Sequence, residues 1–264
     1  MNILDQIIES KREEVKDLKK TFSNDSYQSM EFYESEIMSF TYKLNSNNKI
    51  SLICEIKKAS PSKGIIRNSF DPIEIAEIYF DNDADAVSIL TDKNFFNGNM
   101  LYLRQIAKIK QAPLLRKDFI IDEIQIYESK ANGADLILLI SEILSKTQIA
   151  DFTSMANEIG LEVLIEIHSA VQLDKIDFEK HKMIGINNRN LYDFSVSLNT
   201  TAELKKLIPE NIFVVSESGI SKKEDIKFLG NLGVNALLVG ESIMANDNIE
   251  ARVKELKKWC NNEG

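Results

Sequence analysis

The segment SLICEIKKASPSKG, residues 51–64, begins as a strand and ends as a loop. Its apolar run, Ser51 to Ile56, is interrupted by Glu55 and followed by Lys57. Side chains two apart on a strand share a face, so Glu55 and Lys57 project together while Cys54 and Ile56 project the other way. Opposite charges on the inward side of a buried strand are costly unless they meet each other or a ligand. Ala59 to Gly64 then supplies small hydroxyls, a rigid proline, a cation and a flexible glycine, a composition suited to wrapping an anion. The stretch alone fits either an internal ion pair followed by a surface turn, or one edge of a site for a charged ligand.

Outward from this segment the chain repeats its pattern. Apolar, β-rich runs recur at Ser51–Ile56, Ala86–Leu90, Pro113–Leu115, Leu136–Ile140, Leu161–Ile165, Met183–Ile186, Ile212–Val215 and Ala236–Val239, eight in all. Helical periodicity fills the gaps at Pro72–Phe80, Met100–Ile109, Glu123–Asn132, Lys146–Ile159, Ala170–Ile176, Thr201–Leu207 and Lys223–Leu232, with a last helix expected at Ile249–Trp259. Asp122, Ser145 and Ser221 stand where N-caps belong, and Asn132-Gly133, Gly160 and Gly233 stand where helices end. Strands that alternate with helices imply parallel pairing, because parallel neighbours need a crossover. Eight such units predict an α/β fold, a single (β/α)8 TIM barrel, over an open doubly wound sheet. No G-x-G-x-x-G follows the first strand and no P-loop motif occurs, so dinucleotide and P-loop folds lose ground.

Toward the N-terminus the character changes. Ile3, Leu4, Ile7, Ile8, Val15 and Leu18 recur at helical spacing among acids and lysines. Asn24-Asp25-Ser26 should break this helix, a shorter one is expected over Ser29–Lys43, and Asn-rich Leu44–Lys49 forms the junction. Residues 1–48 are therefore expected to be a helical extension that packs on or lids a barrel of residues 49–264, the whole being one domain.

Composition excludes other classes. The 264 residues are 44% hydrophobic, enough for a sizeable core, and carry 41 acids against 32 bases for a net charge of −9. Without a dense basic stripe there is no electrostatic footprint for nucleic acid. Cys54 and Cys260 are the only cysteines, which suggests no disulfide framework and a reducing cytoplasm. The N-terminus is charged within five residues and does not read as a signal peptide, and no run approaches the ~18 apolar residues of a membrane span. His168 and His181 have no ligand spacing to a third group, so no metal site is expected. His168 reads chiefly as a loop histidine that could touch a ligand.

The active site of such a barrel lies at the C-terminal ends of its strands. There the sequence places Glu55 and Lys57, Arg116-Lys117-Asp118, Glu166, Asn187-Asn188-Arg189, Ser216-Glu217-Ser218-Gly219 and Gly240-Glu241-Ser242. Three carboxylates and two lysines gathered at one mouth would push one another's pKa values apart, as acid/base chemistry near neutral pH requires. An internal ion-pair network would look similar from sequence. The loops after the seventh and eighth strands, each with a glycine before a helix, suit a phosphate together with the Ser60–Gly64 loop. Phe95-Phe96-Asn97-Gly98 could wall a ring or plug a turn.

With these residues in view the chain resembles indole-3-glycerol-phosphate synthase of tryptophan biosynthesis. The likeness rests on CEIKKASPSKG, SILTDKNFFNG, LLRKDFIIDEIQIYESKANGAD, VLIEIH, IGINNRNL, VSESGI and LLVGESIM, in order from about residue 50 to about residue 245. The resemblance implies a carboxy-lyase that closes the indole ring of 1-(2-carboxyphenylamino)-1-deoxyribulose 5-phosphate, releasing CO2 and water, with no metal or organic cofactor. It implies Lys117 as general acid toward the ketone oxygen, with Lys57 steering the substrate carboxylate or sharing the acid role. Glu166 and Glu55 are candidates for the later proton transfers, with Asn187, Glu217 and Ser218 bonding sugar hydroxyls and acid/base groups. Arg189 would orient Glu217 or the substrate carboxylate. Phe96, Phe119 and Leu138 would wall the anthranilate ring, and Ser60, Gly219, Gly240 and the backbone of Glu241 would bind phosphate. A cytoplasmic monomer acting on a small molecule is expected. The alternatives are another phosphosugar barrel, an isomerase or a Schiff-base aldolase using Lys117, and a non-catalytic barrel lacking the charged strand ends that this chain has.

Overall fold

The computed structural model describes residues 2–46 and 49–261. Eight parallel strands close on themselves: β1 Ser51–Ile56, β2 Ala86–Leu90, β3 Leu114–Lys117, β4 Leu136–Ile140, β5 Glu162–Ile167, β6 Met183–Asn187, β7 Phe213–Glu217 and β8 Ala236–Val239. β1 pairs with β2 on one side and β8 on the other, so no sheet edge is left open. The helices are α1 Ile3–Thr21, α2 Asn24–Gln28, α3 Phe40–Ser46, α4 Pro72–Asp81, α5 Met100–Ala107, α6 Glu123–Ala131, α7 Lys146–Glu158, α8 Asn199–Lys205, α9 Lys223–Asn231, α10 Glu241–Met244 and α11 Ile249–Cys260. The fold is the expected (β/α)8 barrel with an N-terminal helix.

Strand parity divides the core in two. Outward residues such as Cys54, Ile56, Val87, Ile89, Leu139, Ile165 and Ile186 pack under the helices, while Ile53, Leu115, Leu136, Leu164, Val215 and Leu238 fill the barrel. Asp122 and Ser145 cap α6 and α7, each in a reciprocal box with a glutamine three residues on. Ser221 is not the N-cap of α9. Lys222 holds that position, and the Asp225 carboxylate accepts from both Ser221 N and Lys222 N. Ala170–Lys175 winds as a 3-10 turn rather than an α-helix, its N–H groups reaching three residues back. The loop after β1 folds into a small hairpin, Ala59–Ser60 against Gly64–Ile65. Arg67 ties that loop across to the Met244 and Asn246 carbonyls.

The extension contacts both ends of the barrel. α1 lays Leu4 and Ile7 against Phe119, Leu138 and Ile140 at the mouth. No helix spans Ser29–Lys43; turns occupy much of that stretch and α3 begins only at Phe40. Tertiary contacts set that start: the Glu162 carboxylate, on the first residue of β5, accepts from Phe40 N, Thr41 N, Ser39 Oγ and Thr41 Oγ1. An acid at the N-terminus of α3 complements its unpaired N–H groups, and Phe40 and Leu44 then plug the end of the barrel opposite the mouth. Of the expected junction Leu44–Lys49, residues 47 and 48 lie outside the described residues.

α1 is pinned by one residue that breaks its apolar face. Leu4, Ile7, Lys11 and Val15 form its buried stripe. Lys11 Nζ meets Asp118 Oδ1 at 2.9 Å, Asp92 Oδ2 at 3.2 Å and Glu14 Oε2 at 2.7 Å. Burial alone would lower this lysine, but the three carboxylates outweigh it and hold the ammonium above the usual lysine range. Asp118 in turn receives Arg116 Nη2 at 3.0 Å, and Arg116 reaches Glu128 at 2.8 Å. Arg116, although at a strand end, belongs to this buried network outside the mouth.

Candidate active site

Of the residues singled out at the strand ends, all but Arg116, Asn188 and Ser216 line one cavity at the barrel mouth. Its floor is ionic. Lys117, the last residue of β3, places Nζ 2.5 Å from Glu166 Oε2 and 2.8 Å from Glu217 Oε2. Beside them Lys57 meets Glu55 Oε1 at 2.5 Å, as their shared strand parity requires. Asn187 Nδ2 donates to Glu166 Oε1 at 3.2 Å and its Oδ1 accepts from Arg189 N at 3.0 Å. His168 Nε2 also lies 3.2 Å from Glu166 Oε1.

Two glycines make this packing possible. A Cβ on Gly185 in β6 would stand 2.3 Å from Glu217 Oε1, and one on Gly240 would stand 2.3 Å from Glu55 Oε1. The carboxylates occupy the space that side chains would have filled.

The two glutamates beside Lys117 are not equivalent. Glu166 faces donors on both oxygens. Burial would raise it, but the Lys117 charge and then His168 outweigh that and hold it well below the usual carboxylate range. Glu217 has Lys117 on one oxygen, and its buried Oε1 has no partner. Burial raises it, Lys117 only partly offsets this, and the neighbouring Glu166 charge adds to it, so Glu217 is pushed up to about 7. One carboxylate is thus held ionised while the other can keep a proton near neutrality.

A stability test follows from the sign. The folded chain holds the Glu217 proton between its ordinary 4.5 and about 7, where the unfolded chain has lost it. This stabilisation is complete below the lower value and is lost as pH rises through the upper one. The Tm of the wild type should therefore fall relative to Glu217→Gln between pH ~5 and ~8, read by calorimetry across that range. The lowered group, Glu166, loses its contribution only at more acid pH and leaves this window undisturbed.

Around the ionic floor the walls differ. Phe96 and Phe119, with ring centroids 6.0 Å apart, stand with Leu138, Ile140 and Leu191 on the apolar side. Ile3, Leu4 and Ile7 of α1 complete that wall, a contribution the sequence indicated only as a lid. Opposite lie Ser60, Ser62, Ser218, Gly219, Gly240, Glu241 and Ser242. Ser218 and Gly219 both take left-handed φ, 68° and 78°, which for Ser218 is strained backbone kept at the site. α10 starts at this polar end with Glu241 and Ser242, and no side chain caps its N-terminus.

Arg189 does not orient Glu217. Its backbone N–H closes a turn on Asn187, and its guanidinium reaches the Glu241 carboxylate at 2.9 Å, with Lys63 Nζ 3.6 Å from the other Glu241 oxygen. These pairs draw the loops after β1, β6 and β8 together around the polar end of the cavity. Among the described residues no group of three or more His, Cys, Asp or Glu side chains is arranged to hold a metal ion.

Comparison with known proteins places this geometry. The family model for indole-3-glycerol phosphate synthase matches residues 4–256. The indole-3-glycerol phosphate synthase of Alkaliphilus metalliredigens is 45% identical over 255 residues, covering 97% of this chain and 98% of its own. That of Campylobacter hominis is 41% identical over 259 residues, covering 97% and 99%. Among solved structures, 3-hexulose-6-phosphate synthase from Salmonella typhimurium matches with a TM-score of 0.64 at 13% identity, over 81% of this chain and 100% of its own. Tryptophan synthase subunit alpha from Legionella pneumophila matches with 0.62 at 13%, over 84% and 97%. At such identities the structures speak for the barrel alone.

Proposed function

The chain belongs to the indole-3-glycerol phosphate synthase family, and we propose that Lys117, Glu166 and Glu217 divide the proton transfers of its reaction among themselves. The enzyme is a carboxy-lyase. It converts 1-(2-carboxyphenylamino)-1-deoxyribulose 5-phosphate to indole-3-glycerol phosphate, CO2 and water. The observation that carries the division of roles is the Lys117 ammonium held between two glutamates with unequal partners.

The substrate spans the cavity with its anthranilate ring against Phe96, Phe119 and Leu138, where burial of the ring stabilises binding. Its phosphate meets Ser60, Gly219, Gly240 and the backbone N–H of Glu241. Arg189 and Lys63, now on Glu241, supply positive charge at that end and offset the Glu241 carboxylate. Lys57, beside Glu55, receives the ring carboxylate.

Ring closure needs the ketone oxygen to gain a proton as the aromatic carbon attacks. An ammonium between two carboxylates is a weak acid. A ketone oxygen that replaces one of those contacts removes part of the charge holding the proton, so Lys117 becomes able to give it up. After CO2 leaves, the new hydroxyl departs as water. Glu217 holds a proton for that step, and Glu166, kept ionised by Lys117, Asn187 and His168, accepts the proton lost from the ring. Glu55 holds Lys57 in place, and Asn187 and Ser218 bond the sugar hydroxyls. We take residues 1–48 as an extension of the barrel rather than a separate domain, and the enzyme as a cytoplasmic monomer with no nucleic-acid or membrane partner.

Glu166→Gln keeps the shape and the Asn187 contact but cannot accept a proton. Its kcat should fall by about 10²- to 10⁴-fold with KM little changed, measured by indole fluorescence. Wild-type kcat in that variant would remove Glu166 from the chemistry.

A further inference from the structure

The reaction has a proton balance that its three central groups cannot close alone. When the ring carbon bonds to the ketone carbon, the carbonyl electron pair moves to oxygen, which takes one proton. The bond to the ionised carboxylate then breaks, its pair restores the ring and CO2 leaves neutral. Loss of the hydroxyl as water takes a second proton, and one C–H of the new five-membered ring returns one. Two protons enter and one comes back. Each turnover therefore draws one proton from solvent.

That proton must reach a floor that is nearly closed. Glu166 and Glu217 are 3% and 2% exposed at their side chains, and a bound substrate fills the mouth above them. A second cavity, of about 340 Å³, lies behind the same wall. It is lined by Glu142, His168, Asn187, Arg189, Asn190 and Tyr192, and Tyr192, well exposed, stands at its edge. Tyr192 OH donates to Glu142 Oε1 at 2.8 Å, so the cavity has its own polar lining.

His168 and Asn187 both line this cavity and contact Glu166, and of the two only the imidazole can carry a proton. His168 lines the second cavity and not the first, yet its Nε2 is 3.2 Å from Glu166 Oε1. Its other ring nitrogen, Nδ1, is buried and has no hydrogen-bond partner among the described residues. Its backbone is fixed by Gln172 Oε1, which accepts from His168 N at 2.7 Å. From His168 the row continues through Glu166 to Lys117 and on to Glu217, with separations of 3.2, 2.5 and 2.8 Å. An imidazole can take a proton on one nitrogen and release one from the other, which suits it to join two compartments.

We propose that His168 relays the proton consumed in each turnover from the second cavity to Glu166, and through it to Lys117 and Glu217. His168 touches no reacting atom and acts through Glu166, so the inference rests on the assignment of Glu166 to the proton transfers.

The test compares steady-state, multiple-turnover indole formation over a range of substrate concentrations, because the relayed proton resets the groups between turnovers. It uses wild type, His168→Ala, His168→Gln and Glu166→Gln, each checked for folding by thermal melt. His168→Ala should lower kcat about tenfold to a hundredfold with half-saturation and the first turnover unchanged, and added imidazole should restore kcat in proportion to its concentration. His168→Gln preserves a donor near Glu166 but cannot relay, and should stay slow. An unchanged rate in His168→Ala, a full rate in His168→Gln, or a loss that imidazole does not restore would each overturn the relay. If Glu166→Gln turns over like wild type, the assignment of Glu166 itself fails. If Glu166→Gln is slow while His168→Ala is not, only the relay fails.

Discussion

Lys117→Ala is expected to fold and to bind substrate but to form no measurable indole, a loss of at least about 10³-fold in single-turnover rate. The variant removes the one ammonium that meets both Glu166 and Glu217, and with it the acid for the ketone oxygen. The fold survives because the two carboxylates need not both stay charged. Glu217 already holds its proton up to about 7, and without the lysine it would hold it further, so no unpaired charge pair is left inside the barrel. The phosphate end and the aromatic wall lie on other residues, which keeps binding largely intact. Circular dichroism, a binding isotherm and indole fluorescence on the same preparation separate these effects. A Lys117→Ala protein with wild-type turnover would end the assignment.

Lys11→Met is expected to be the most damaging change to stability. It strands Asp118 and Asp92, both buried, at a cost of about 3–5 kcal/mol, read by urea denaturation. Asp118 is held well below the usual carboxylate range. Burial would raise it, but Lys11 and then Arg116 outweigh this, so loss of the lysine removes its chief counter-charge and leaves Arg116 as its cation. Adding Asp118→Asn to Lys11→Met should recover part of the loss, because the remaining aspartate then carries less uncompensated charge. Activity should respond as well. Lys11 seats the helix that brings Ile3, Leu4 and Ile7 to the cavity wall, so KM should rise more than kcat falls. A variant as stable as wild type would show that the apolar contacts of α1 suffice.

Lys11 also illustrates where sequence ceased to be enough. It sits at core-facing spacing between Ile7 and Val15, but among Glu and Lys neighbours it resembles any solvated residue until Asp92 and Asp118 arrive from the loops after β2 and β3. The strands were legible from apolar runs and caps, yet four were expected to end early, at Leu115, Ile165, Ile186 and Val215. The structure carries them on to Lys117, Ile167, Asn187 and Glu217. Their last residues include the polar ones that build the site, so hydrophobicity stops one or two positions before the strand does. The absent Ser29–Lys43 helix has a tertiary cause, since Glu162 lies far along the chain from the N–H groups it caps. Arg189 went to Glu241 rather than Glu217 for a related reason: loop conformation, not strand parity, aims it. Parity did place Glu55 beside Lys57, and the order of the strands did bring Lys117, Glu166 and Glu217 to one mouth.

The division of roles between Glu166 and Glu217 is tested most directly by infrared difference spectroscopy of the carboxylic-acid carbonyl band, wild type against Glu217→Gln, across neutral pH. A protonated-carboxyl band present in wild type on the acid side of about 7, lost on the alkaline side and absent from Glu217→Gln, is the predicted result. A band that persists in Glu217→Gln and vanishes in Glu166→Gln would place the proton on the wrong glutamate and contradict it.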